Sequence, residues 1–95
     1  MTSPWGVVQS VHEVADGIQF VSTAGHGGFL LSPERLAKMP EKLKWPTRFY
    51  MSGSPWFEED VEACRVVLAF PDCFNPSEVD SALDILKSAH PEVLT

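Results

Sequence analysis

His26 stands among glycines, in Ala24-Gly25-His26-Gly27-Gly28. An imidazole titrates near neutrality, and glycines let backbone N–H groups converge beside it. This run therefore has the chemistry of anion binding or proton transfer. A second concentration is Trp56-Phe57-Glu58-Glu59-Asp60. Carboxylates from it facing His26 would make a small general-base or divalent-metal site. Each run also has a plainer structural reading, and that reading is favoured. Glycine-rich turns mostly serve tight backbone geometry, with His26 capping a neighbour. Acids at a helix start offset the helix dipole while Trp56 and Phe57 pack inward. Only one or two of three consecutive helical carboxylates face any one point, which weakens a three-acid metal cage.

Other residues narrow the chemistry. His26-Gly27-Gly28 matches the oxyanion loop of lipase-type hydrolases, but the chain has no G-x-S-x-G elbow and is too short for that fold. Cys64 and Cys73 form no C-x-x-C pair, and His12, His26 and His90 are far apart, so neither a metal nor a cofactor is expected. The cysteines read as buried thiols of a reducing compartment. Lys42 to Arg48, with Trp45, Phe49 and Tyr50, mixes bases and aromatics that could stack a nucleobase. A surface loop pinned by aromatics fits the acidic whole better. Trp5 and His12 are most simply sheet residues; Trp5 would anchor an interface if exposed, although burial is its simpler fate.

The elements that must position these residues follow from pattern. Trp5 to Ala15 and Ile18 to Thr23 alternate around Asp16-Gly17, which predicts a β-hairpin over residues 5–24 with a type I′ turn. Phe29-Leu30-Leu31 reads as a third strand. Ser32-Pro33-Glu34 starts a helix that Pro40 limits to about two turns. Residues 44–54 read as loop. Ser54-Pro55 starts a second helix, with Phe57, Val61, Cys64 and Leu68 as its stripe and Pro71 as its stop. Asn75-Pro76-Ser77-Glu78 starts a third through a capping box, and His90-Pro91 ends it. The expected class is α+β: a small antiparallel sheet of three strands, then about three helices packed on one face.

Composition bounds the whole. With 95 residues, of which 44% are hydrophobic, the chain makes one domain over residues 1–95 with one modest core. It is too short for a dinucleotide-binding domain. No apolar run approaches the roughly 18 residues of a membrane span, and no signal peptide is visible, so a cytoplasmic setting is expected. There are 7 Lys and Arg against 13 Asp and Glu, a net charge of -6. That balance argues against nucleic acid as the main partner.

Three segments stand out together: Ser3-Pro4-Trp5-Gly6; Ser22-Thr23-Ala24-Gly25-His26-Gly27-Gly28-Phe29; and Trp56-Phe57-Glu58-Glu59-Asp60 followed by Val66-Val67-Leu68-Ala69-Phe70-Pro71. This combination, covering roughly residues 3–74, resembles a small domain of unknown function encoded by phages, plasmids and integrated elements of proteobacteria. The resemblance implies a mobile-element context and no settled activity. The expected role is an accessory protein that binds and modulates a host protein, in defence or nucleic-acid processing. Its binding residues would be Trp5, Gly25, His26, Gly27, Gly28, Trp56, Glu59 and Asp60. The alternative is a small enzyme or metal-assisted hydrolase using His26 with Glu58, Glu59 or Asp60.

Overall fold

A computed structural model describes residues 2–44 and 55–94. The chain opens with a two-strand ladder, β1 (Thr2–Ser3) and β2 (Gly6–Val7). It continues through β3 (Ser10–Ala15), β4 (Ile18–Ser22) and β5 (Gly27–Leu31). Two short helices follow, α1 (Pro33–Lys38) and α2 (Glu41–Lys44). Then come β6 (Trp56–Glu58), α3 (Val61–Ala69) and α4 (Pro76–Ala89), with 3-10 turns at Pro71–Cys73 and Pro91–Leu94.

The α+β class holds, but the sheet differs from the three strands expected. The main sheet has four antiparallel strands in the order β3-β4-β5-β6, and β1-β2 forms a separate small ladder. The difference lies at Trp56-Phe57-Glu58. There is no helix start here: the segment pairs with β5 as Gly28↔Glu58, Phe29↔Phe57 and Leu30↔Trp56. Period-two alternation places Phe57 on one face and Trp56 and Glu58 on the other. The helix begins only at Val61. The expected cap at Ser54, the loop over 45–54 and the residues Trp45, Arg48, Phe49 and Tyr50 lie outside the described residues.

The hairpin also differs in detail. Its turn is at Asp16-Gly17, yet only Gly17 has positive φ (82°), so the turn is not type I′. A register shift between Glu13 and Ala15 takes up the difference. Gly17 is obligatory for a second reason: a Cβ there would lie 2.6 Å from Ser32 Oγ. The loop therefore seats against the start of α1, where Ser32 Oγ accepts the Arg35 N–H (3.2 Å) and Arg35 Nε donates to the Asp16 carbonyl (2.8 Å).

The other helix ends follow their signals. Asn75 and Glu78 form the reciprocal capping box of α4, and His90 closes that helix. The core joins one sheet face to α3 and α4: Ile18, Phe29, Leu31 and Phe57 meet Cys64, Val66, Val67, Ala82 and Leu86. Cys64 is buried and Cys73 only half-buried, both free thiols. Burial and the nearby Asp60 charge push the Cys64 thiol up, and its Sγ donates to the Asp60 carbonyl at 3.2 Å.

Candidate functional site

Ser3-Pro4-Trp5-Gly6 forms the turn of the β1-β2 ladder. Ser3 Oγ accepts the Trp5 N–H (3.2 Å) and donates to the Gly6 carbonyl (2.9 Å). Gly6 has φ 119°, which an L side chain resists. The turn thus holds Trp5 at its apex, and the indole comes down on β5. A Cβ on Gly28 would lie 2.5 Å from Trp5 Cη2 and would also strike the Phe57 carbonyl. Gly28 pairs with Val21, which is fully buried although it faces away from the helices. The Trp5 indole and the sheet account for that burial.

The second segment is a turn whose hydrogen bonds use the threonine. Thr23 N–H and Oγ1–H both donate to the His26 carbonyl (2.8 and 3.0 Å), and Oγ1 accepts the His26 N–H at 3.1 Å. None of Gly25, Gly27 and Gly28 has positive φ, so no unusual backbone angle requires them. Gly27 and Gly28 serve close approach instead. Gly25 has nothing within 4 Å of a Cβ position. We therefore expect Gly28→Ala to cost about 1–3 kcal/mol by overpacking. Gly25→Ala should stay within about 0.5 kcal/mol of wild type. Urea unfolding of both variants measures the contrast, and equal effects would contradict the close packing of Trp5 on Gly28.

The third segment joins the first two. Trp56 meets Trp5 edge to face, with centroids 5.5 Å apart at 86°. The Glu59 N–H donates to the Gly27 carbonyl (2.8 Å), and Glu59 Oε2 lies 3.1 Å from where a Gly27 Cβ would stand. Trp5, Gly28 and Trp56 therefore meet on the sheet face opposite α3 and α4, while Glu59 reaches Gly27 on the helix side, beside Phe20. Trp5 and Trp56 are half-buried there, and Val11 on the same face is 46% exposed. Val7, next to the Trp5 turn, is 71% exposed. These two valines carry no motif, and sequence reading missed them. Their signal would have been that Val11 shares a face with Val21.

His26, Glu59 and Asp60 are exposed, and Glu58 is half-buried. No hydrogen bond or ion pair joins the His26 imidazole to these carboxylates among the described residues. No cluster of three His, Cys, Asp or Glu side chains able to hold a metal occurs among them. Asp60 is the one described non-glycine residue at positive φ (78°, with ψ -122°), a backbone region that glycine favours. It precedes α3 without making a side-chain cap bond. Asp60→Gly should therefore raise stability by about 1 kcal/mol in urea unfolding. A loss instead would mean that the carboxylate supports the fold.

The chain belongs to the family described as Domain of unknown function (DUF7007), which it matches over residues 1–95. No curated protein and no solved structure matches it. No helix among the described residues is long and apolar enough to cross a membrane.

Proposed function

We propose that this domain is a protein-interaction module, an accessory protein of a phage or mobile element that binds and modulates a host protein in the cytoplasm. A host factor of defence or nucleic-acid processing is the expected target. The observation that carries this reading is the meeting of Trp5 with Gly28 and Trp56 on the sheet face away from the helices. Half-buried tryptophans backed by a rigid sheet and bordered by exposed valines are suitable interface anchors. At the adjoining end of the sheet the exposed His26, Glu59 and Asp60 supply polar groups. Asp60 adds support: it tolerates backbone strain that a glycine would relieve, and its side chain makes no cap bond. Retaining an aspartate under those conditions fits a role in contact with a partner.

The test is affinity capture from host lysate with wild type beside Val11→Asp, His26→Ala and Glu59→Ala, each first shown to fold. The expected result is one host protein retained near stoichiometrically by wild type and lost with Val11→Asp. The purified pair should then bind with the same order of variants. Capture that ignores all three substitutions would remove this surface from the reading.

A further inference from the structure

We infer that the outer edge of the main sheet, at β3, receives an extended, basic segment of a partner protein as a fifth strand. This surface shares Val11 of β3 with the tryptophan face, but its groove lies on the opposite face of the sheet, and the inference does not depend on the function proposed above.

Three observations lead to it. First, β3 ends the strand order, so no other strand pairs with its outer side among the described residues. Ser10 through Glu13 are all exposed. Every second residue of such a strand turns its N–H and C=O outward; the row holds no proline or lysine, and its one charge, Glu13, and the register shift lie at the hairpin end.

Second, the helices leave this side of the sheet uncovered. His12, Phe20, Phe29 and Phe57 form one cross-strand row facing α3 and α4. Along that row Phe57 and Phe29 are buried, Phe20 is half-buried and His12 is exposed. The overhang forms a groove of about 460 Å³ whose lining includes Val14, Phe20, Phe29, Cys73 and Phe74, with His12 and Glu78. Phe29 meets Phe20 and Phe74 edge to face at 5.4 and 5.6 Å, so the aromatic wall is fixed. A strand laid on β3 would point alternate side chains into this groove, which is how strand addition obtains specificity beyond its main-chain bonds.

Third, charge selects the occupant. Glu13 lies on the edge strand and Glu78 in the groove, whereas Asp16 at the hairpin tip is balanced by Arg35 and Lys38 beside it. The chain carries a net -6. Two such edges repel each other, which disfavours a second copy of this chain, while a segment alternating apolar and basic residues is attracted.

The probe is the peptide Lys-Val-Lys-Phe-Lys-Val-Lys, titrated into the full chain by NMR at moderate salt. Two further forms are N-methylated at the even or at the odd internal positions. A fourth has the same residues in scrambled order. The expected result is shifts confined to the β3 amides and the Phe20 and Phe74 rings. One methylated form should lose affinity about tenfold or more, because only one edge of the peptide meets β3, and the other should keep it. The scrambled peptide should also lose about tenfold. Equal binding by both methylated forms would reduce the effect to charge and overturn the inference. So would shifts outside β3, no binding at millimolar peptide, or occupation of β3 by a second copy in sedimentation.

Discussion

Phe57→Ala is expected to cost about 3–5 kcal/mol, a large part of what a domain of this size holds in reserve. Phe57 is 1% exposed, the largest side chain so fully buried among the described residues, and it sits where β6, α3 and the core meet. The loss has two parts, the transfer of the ring to water and the cavity left behind. Its neighbours Phe29 and Val66 are anchored in a strand and a helix, so the cavity closes poorly. The melting temperature should fall by roughly 15 °C or more. Thermal and urea unfolding followed by circular dichroism measure this. A change below about 1 kcal/mol would mean that Phe57 is not in the core, and the four-stranded sheet would fall with it.

Arg65→Ala is the second large effect, and its cause is electrostatic. Arg65 is 5% exposed on α3, one turn from the buried Glu62. Burial lowers its pKa, and the charges of Glu62 and Glu92 partly restore it. Removing the guanidinium leaves Glu62 buried without that counter-charge, which costs about 3–5 kcal/mol. Arg65→Met, which keeps much of the apolar stem, should cost clearly less. Acid reads the same linkage. The Glu92 carboxyl is held below its usual value by its backbone hydrogen bond, by His90 and by Arg65. A lowered folded-state pKa gives stability that is present above the unfolded value of 4.5 and lost as pH falls through the folded value. Arg65 is the smallest of these causes, so the gap between wild type and Arg65→Ala should narrow only slightly below pH 4.5. A gap that widens there would contradict it.

Local signals were legible where one residue type settles the geometry. Ser32-Pro33, Asn75 with Glu78, and Asp16-Gly17 each marked a boundary that the structure keeps. The error at Trp56-Phe57-Glu58 has a physical origin. Phe57, Val61, Cys64 and Leu68 sit at helical spacing, and a three-residue strand is too short to show its own alternation. What makes it a strand is pairing with β5, distant in sequence. The candidate residues were legible by type, but not the role of Gly27 and Gly28, which depends on Trp5 and Glu59 arriving from either side of them in the sequence. Arg65 and Glu62 gave no signal, because a charged pair inside a helix looks like solvated surface until its neighbours are placed.

The position of β6 has a consequence for how the chain matures. The hairpin and β5 are made first and are contiguous, so they can pair as soon as they are synthesised. Their fourth partner lies beyond both short helices, and closing that distance is slow relative to hairpin formation. Until it arrives, Phe29 lacks its cover, and the edge of β5 is open to any other unfinished chain. At high expression the domain should therefore be lost to aggregation during synthesis rather than after folding. Slower translation or a lower temperature should recover it.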